Sequence, residues 1–262
     1  MATSRSGGNV TLERRAKILE LLKNQRQVRV DELQKAFQVS EVTIRNDLDR
    51  LEKKGLLIRT RGGGIQTQGV QFDYQFNKEM SRFLEEKRAI GKKAAELVNE
   101  NDTIILDSGT TTLEVGRHLT HLKDLTVITN GIAIAHELAQ HRNLKVVMLG
   151  GSFRQSSLSL FGPIAEENMK NLFCDKVFIG VNALDTKHGL FTTYIEDASL
   201  NRMMIEVSKE VIVVTDSSKF QKRGFSLIAP MSVVDTLITD RNIPKEEHRA
   251  LTNAGVNTIL VD

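Results

Sequence analysis

The sequence predicts two folded parts of different class. An N-terminal winged helix-turn-helix occupies residues 1–65 and, after a linker at 66–76, an α/β domain over 77–262 is built on a mainly parallel sheet. Three observations carry this. Two helical patterns, Asp31 to Phe37 and Ser40 to Gly55, are separated by only Gln38, Val39 and Ser40. Beyond residue 100, short Val/Ile/Leu runs alternate with amphipathic helical patterns, as strands buried on both faces do. Charge divides along the same line: residues 1–61 hold 14 Lys/Arg against 8 Asp/Glu, a net +6, whereas 62–262 hold 22 against 25, a net −3. A basic excess beside a helix-turn-helix is the footprint that a phosphate backbone requires.

Residues 1–10 are polar and are expected to fray. Thr11 is placed to cap a helix to about Asn24, with Ala16, Ile18, Leu19 and Leu22 on its apolar face and Arg14 and Arg15 in its first turns. Val28 and Val30 mark a short strand, and Asp31 is the expected cap of the next helix. In the third helix Ser40 is a good N-cap, and Ile44, Leu48 and Leu51 share the inward face. Val42, Asn46, Asp49 and Lys53 lie opposite, with Thr43 and Arg50 on one flank and Arg45 on the other. Gly55 is the expected stop. Leu56 to Arg61 then alternates as a strand, a wing whose Arg59 and Arg61 reach phosphates. Gly62 to Gly64 reads equally as a DNA contact or as a flexible exit.

Gln66 to Phe76 has no clear period. From Asn77 to Asn99, Phe83, Ile90, Ala94, Leu97 and Val98 form the stripe of one long helix. Strands are expected at 103–107, 125–129, 145–150, 176–180, 210–215, 236–239 and 257–261, with helices at 111–119, 131–140, 162–171, 195–208 and 244–254.

Several chemistries are disfavoured. Cys174 is the only cysteine, so no intrachain disulfide forms, and its apolar neighbours Leu172, Phe173 and Val177 mark a buried thiol. The six histidines show no metal-ligand pattern, and no Ser-His-Asp arrangement with a nucleophile elbow is present. No apolar run approaches the length of a membrane span, and MATSRSGGNV lacks the core of a signal peptide, so a cytoplasmic protein is expected.

The sharpest candidate site is D-S-G-T-T-T, Asp107, Ser108, Gly109, Thr110, Thr111 and Thr112, which follows a strand and opens a helix. Glycine permits close backbone approach, the hydroxyls donate, and a helix N-terminus favours an anion such as phosphate. It is neither a nucleotide P-loop nor a dinucleotide fingerprint. Further polar groups recur at strand ends: Thr129, Asn130 and Gly131, Gly150 and Gly151, Asn182, and Asp216, Ser217, Ser218 and Lys219. In an open parallel sheet those ends converge on one crevice. Arg154, Glu196 and Asp197 are lesser candidates. On the recognition helix, Val42 can touch a thymine methyl and Asn46 can read adenine, while Thr43, Arg45 and Arg50 can meet bases or phosphates. Arg45 has an alternative, pairing with Asp49 one turn on.

The segments ERRAKILELL, SEVTIRNDLDRLEKKGLLIRTRGGG, LDSGTTT, VITN, LGG, FIGVNALD, GLFTTYIEDASLNR and VTDSSKF resemble, in the same order and over nearly the whole chain, the DeoR family of bacterial transcription repressors. The resemblance implies a sensor domain similar to ribose-5-phosphate isomerase, an effector that is a phosphorylated sugar or amino sugar, double-stranded operator DNA as partner, and a homo-oligomer, dimer or tetramer, with no cofactor. Thr43 to Leu48 stands where the family reads DNA. Asp107 to Thr112, Asn130, Gly150, Gly151, Asn182, Glu196 and Asp216 to Lys219 stand where it forms the effector pocket. The nearest likeness is to members that govern amino-sugar and hexitol use, N-acetylgalactosamine among them. Two other readings remain. One is a sugar-phosphate isomerase with an attached DNA-binding module, but the isomerases resembled carry D-G-A-D where Ile179 to Asn182 reads I-G-V-N, and GLFTTY lacks their lysine. The other is a DNA-binding protein that senses no small molecule.

Overall fold

The computed structural model describes residues 6–25, 27–53, 56–65 and 70–262. The chain divides into two compact units, Met1–Gln75 and Phe76–Asp262.

The first unit runs α1 (Ser6–Gln25), β1 (Gln27–Arg29), α2 (Val30–Phe37), α3 (Glu41–Lys53), β2 (Ile58–Thr60) and β3 (Gly63–Ile65). Ile18 and Leu22 of α1 pack fully buried with Leu33 of α2 and with Ile44, Leu48 and Leu51 of α3. Since α1 starts at Ser6, Thr11 lies inside the helix instead of capping it, and residues 6–10, expected to fray, are helical. The second helix starts at Val30, one residue before the expected cap. Asp31 instead accepts from Arg29 Nε at 3.1 Å, and that guanidinium holds its carboxyl below the usual range. Ser40 does cap α3, its Oγ accepting from Thr43 N at 3.2 Å. The stop expected at Gly55 lies outside the described residues.

The glycine run is no flexible exit. Gly63 and Gly64 form the buried part of β3, the middle strand of a three-stranded antiparallel sheet ordered β1-β3-β2. A Cβ on Gly63 would lie 1.9 Å from the Val28 carbonyl oxygen, so only hydrogen fits between these strands. At Gly62, in the wing turn, a Cβ meets nothing within 4 Å.

Two helices follow, α4 (Val70–Ser81) and α5 (Leu84–Ala95). Residues 70–76, expected as irregular linker, are helical, and residues 66–69 lie outside the described ones. The helix expected as continuous over 77–99 breaks at Phe83, whose φ of 53° ends one helix and precedes the next. Then come β4 (Thr103–Leu106), α6 (Thr110–Arg117), β5 (Leu125–Thr129), α7 (Ile132–Leu138) and β6 (Leu144–Met148). A hairpin of β7 (Ser152–Arg154) and β8 (Ser159–Phe161) leads to α8 (Pro163–Met169) and β9 (Cys174–Ile179). The remainder is β10 (Ala183–Asp185), β11 (Gly189–Thr192), α9 (Ile195–Glu206), β12 (Ser208–Val214), β13 (Ser226–Ala229), β14 (Thr236–Asp240), α10 (Lys245–Asn253) and β15 (Asn257–Val261).

Seven strands form one parallel sheet in the order β15-β14-β12-β9-β4-β5-β6. Both faces are covered, which is why the strands read as continuous apolar runs. Ile104, Leu106, Val127, Phe178, Ile212 and Val214 pack with residues of α5, α6 and α7. Ile105, Ile128, Val177, Ile179 and Val211 pack on the other face with α8 and α9. Cys174 belongs to this second layer, where burial pushes its thiol up to about 11, the state of an inert core residue. The β7–β8 hairpin and the small sheet β10-β11-β13 were not expected. Their strands, three or four residues long and partly polar, carry no period to read.

The Gly63 contact sets a test. Replacing Gly63 with Ala should destabilise the first unit by about 2 kcal/mol or more and weaken DNA binding, because the strands must part. Gly62→Ala should leave thermal unfolding and DNA affinity near those of the parent, and equal behaviour of the two variants would count against the packing.

Candidate functional site: an operator-reading helix and a crevice at the sheet's switch point

On α3, Val42 is 66% exposed, and Asn46 and Arg50 are exposed beside it. Neither Asn46 nor Arg50, nor Arg61 in the wing turn, makes an ion pair or side-chain hydrogen bond among the described residues, so each is available to a partner. A groove of about 510 Å³ runs beside them, lined by Thr43, Asn46, Asp49 and Arg50 and by Thr11, Arg14 and Arg15 of α1. Thr43 is half-buried, its Oγ1 2.8 Å from Ser40 Oγ. Arg45 pairs one turn back, not one turn on: its Nε and Nη2 donate to Glu41 at 2.8 and 2.6 Å, and Asp49 is taken by another arginine. That arginine is Arg59. Its Nε donates to Asp49 at 2.8 Å, its Nη1 donates to the Gly63 carbonyl, and only 17% of its side chain is exposed. The expected phosphate ligand thus braces the wing against the recognition helix. Asp47, 1% exposed, receives Arg14 Nε and Arg15 Nε at 2.6 Å each and locks α1 to α3.

In the second unit, strand order reverses between β4 and β9: β5 and β6 succeed on one side, β12, β14 and β15 on the other. Such a switch point opens a crevice beyond the carboxyl ends of the strands. Asp107 sits in it. Its N–H donates to the Phe178 carbonyl at 3.1 Å, and its Oδ2 accepts from Gly180 N at 3.3 Å and Asn201 Nδ2 at 3.4 Å. Burial, then the charge of Asp197, pushes its carboxyl from 3.8 up to about 8. A neutral carboxyl both donates and accepts, which suits a hydroxyl-rich ligand.

Ser108 and Thr110 are partly exposed at the start of α6, while Thr111 and Thr112 turn inward. Thr112 Oγ1 donates to the Gly109 carbonyl at 3.1 Å, so that hydroxyl closes the turn. Gly109 has an extended φ of 167°, and no side chain caps the helix, which leaves its first amides to an anion. Asn130 is a brace. Buried, it accepts from Ser108 N at 2.9 Å and donates to the Leu160 carbonyl at 3.1 Å and to Ser108 Oγ at 3.4 Å. Gly150 and Gly151 follow β6, and a Cβ on Gly151, φ +127°, would lie 2.4 Å from the Phe161 carbonyl oxygen. That glycine lets the hairpin close. Asn182 is exposed, its Oδ1 accepting from Thr192 Oγ1 at 2.9 Å.

The hairpin delivers Arg154, only 11% exposed, to the start of α9. Its guanidinium lies 4.1 Å from the Phe161 ring centre and 3.9 Å from that of Tyr194, donates to Asp197, and donates to Glu196 Oε2 at 3.3 Å. Beyond β12, buried Asp216 accepts from Ser218 N at 3.1 Å and from Ser218 Oγ, shaping the turn that presents Lys219.

Sequence reasoning missed Asn201 and Lys87. Asn201 lies one turn after Asp197 on α9, a spacing that puts both on the Asp107 side. Lys87 is 3% exposed, and Ile90 and Ala94 share its face of α5, so the helical stripe itself marked it as buried. Among the described residues no group of three His, Cys, Asp or Glu is placed to hold a metal ion, and no helix is long and apolar enough to cross a membrane.

A winged helix-turn-helix with a free reading face, joined to an α/β domain with a polar crevice at its switch point, defines a ligand-responsive DNA-binding regulator. The chain belongs to the DeoR family: residues 14–67 match the DeoR-like helix-turn-helix domain and residues 82–241 the DeoR C terminal sensor domain. A putative aga operon transcriptional repressor of Escherichia coli O157:H7 is 38% identical over 255 residues, 96% of this chain and 94% of that protein. The HTH-type transcriptional repressor GlcR of Bacillus subtilis (strain 168) is 35% identical over 229 residues, 87% and 88% of the two chains. Ribose 5 phosphate isomerase A from Neisseria gonorrhoeae is similar at a TM-score of 0.40 and 18% identity, over 52% of this chain and 53% of that one, too slight a likeness to speak to chemistry. The protein is a DNA-binding transcriptional regulator.

The raised Asp107 carboxyl predicts a pH dependence. Between 3.8 and about 8 it is protonated in the folded chain and ionised in the unfolded one. Its contribution to stability is therefore full at acid pH and is lost as pH rises towards 8. Urea unfolding of wild type and Asp107→Asn at pH 5 and pH 8 should show wild type losing ground to the variant at the higher pH. A constant difference would mean that the group does not titrate in this window.

Proposed function

We propose that the crevice binds a phosphorylated sugar or amino sugar and that its occupancy lowers the affinity of the winged helix-turn-helix for double-stranded operator DNA. The observation that carries this reading is the strand-order switch between β4 and β9, where an α/β sheet places its ligand crevice. There the uncapped start of α6 offers amides to an anion, and Lys219 stands at the end of β12. Asp107 and Asn201 supply groups for sugar hydroxyls. The putative aga operon repressor among its relatives makes an amino-sugar pathway the first to examine. No cofactor or metal enters the scheme. The regulator works in the cytoplasm as a homo-oligomer, dimer or tetramer, since one module binds DNA weakly and paired half-sites restore affinity. A coupling of roughly 1–3 kcal/mol between sugar and operator gives about 5- to 150-fold relief.

Operator binding, titrated with hexose, hexitol and amino-sugar phosphates at fixed salt, tests the scheme. One phosphate should weaken DNA binding while its unphosphorylated sugar does not, and turnover of a phosphate without any effect on DNA would replace the scheme with an isomerase.

On the DNA side, Asn46→Ala should relax specificity at one base position, and Arg50→Ala should lower the salt slope of operator binding by about one unit. Arg59→Ala should leave that slope nearly unchanged and cost stability instead. A slope loss at Arg59 equal to that at Arg50 would return Arg59 to the backbone contacts.

A further inference from the structure

Lys87 and Lys219 meet at a single residue of α4. Lys87 Nζ donates to the main-chain oxygen of Glu79, and Lys219 Nζ stands 3.6 Å from the Glu79 carboxylate. Lys87 also lies in the fields of Asp216 and Lys219: burial pushes its ammonium down, Asp216 draws it up and Lys219 lowers it. Arg82 lowers Lys87 as well, so three cations, Lys87, Lys219 and Arg82, face two anions, Asp216 and Glu79, a surplus of one positive charge. The anions differ in freedom. Asp216 is 1% exposed and tied into its turn by Ser218. The Glu79 side chain is 48% exposed, and Lys219 is its one ion-pair partner among the described residues.

We propose that Glu79 is an internal competitor for the phosphoryl end of the crevice's ligand: a phosphate monoester seated on Lys219 displaces the Glu79 carboxylate and releases one of two ties on the last turn of α4. The inference rests on the phosphorylated-sugar reading above. A monoester brings close to two negative charges near neutral pH, so it leaves the cluster at about −1 if Glu79 stays and near neutral if Glu79 swings into water. The anion that can leave is the one on α4. That helix spans Val70–Ser81, across the division between the two units at Gln75 and Phe76, so the event in the crevice acts on the connecting helix. Lys87 keeps its hold on the Glu79 main chain and retains the helix end.

The test uses the full chain with N-acetylgalactosamine 6-phosphate and inorganic phosphate as probes. Calorimetry on wild type and Glu79→Gln, which removes the charge at constant size, should show the variant binding both probes roughly 2- to 5-fold more tightly, the range of a partly exposed ion pair. Hydrogen exchange over residues 70–81 of the wild type should quicken when either probe is bound, a readout that needs no variant. Equal affinities, or exchange indifferent to the probes, would overturn Glu79 as a competitor while the crevice reading stands. Failure of both probes to bind the wild type at millimolar concentration would overturn the phosphoryl reading, and the competitor with it.

Discussion

The junction of β4 and β9 is the constraint on which the second unit depends. There Asp107 N donates to the Phe178 carbonyl and Gly180 N donates to the Asp107 side chain, the last bonds before the strands diverge. Crossovers between parallel strands are right-handed, so helices that follow strands laid down in opposite directions must cover opposite faces. α6 and α7 accordingly pack on the Ile104 and Leu106 face, and α9 on the Ile105 and Val177 face. The crevice follows from strand order, and the residues bordering it only decide what it holds.

What borders it is a charge problem with two ends. Near the junction, Asp107 and Asp197 would repel as carboxylates, and burial adds to the cost. The fold answers by leaving Asp107 protonated and by bringing Arg154, held between two rings, to Asp197 and Glu196. At the end of β12 the cations are Lys87 and Lys219 and the fixed anion is Asp216. A ligand with hydroxyls at one end and a dianion at the other matches this polarity, and one with the reverse arrangement would set its anion against Asp197.

Legibility in the sequence tracks how each residue announces itself. The seven sheet strands showed because burial on both faces leaves runs such as TIIL and LTVIT that are mostly apolar, with no charged residue and no period-two alternation. The polar strand ends were legible as a convergent set, because a parallel sheet gathers its carboxyl ends whatever the connections. Which of them face a ligand was not. Asn130 and Thr112 look like donors in one dimension, yet both spend their groups within the fold, on main-chain atoms and, for Asn130, on the Ser108 hydroxyl as well. The break at Phe83 left no trace either, since a left-handed non-glycine residue is imposed by tertiary packing that local propensity does not encode. Gly62 to Gly64 misled for a related reason: glycine marks both freedom and close approach, and only the distance to Val28 tells them apart.

The same distinction governs the basic N-terminal unit. The net +6 of residues 1–61 describes the far field, but several of those cations are spoken for at close range. Arg14 and Arg15 belong to Asp47, Arg29 to Asp31, Arg45 to Glu41 and Arg59 to Asp49. The exposed pairs can reopen towards phosphates, because such bridges are worth little in water. Arg14 and Arg15 cannot both leave Asp47, because freeing the two leaves a carboxylate 1% exposed without a counterion. Each cation that does neutralise a phosphate adds roughly 0.9 to the salt slope, and among the described residues Lys17, Lys35, Arg50 and Arg61 are exposed outside any ion pair and stand ready for the DNA backbone. Beyond that attraction the unit offers the exposed face of α3, with Val42, Asn46 and Arg50.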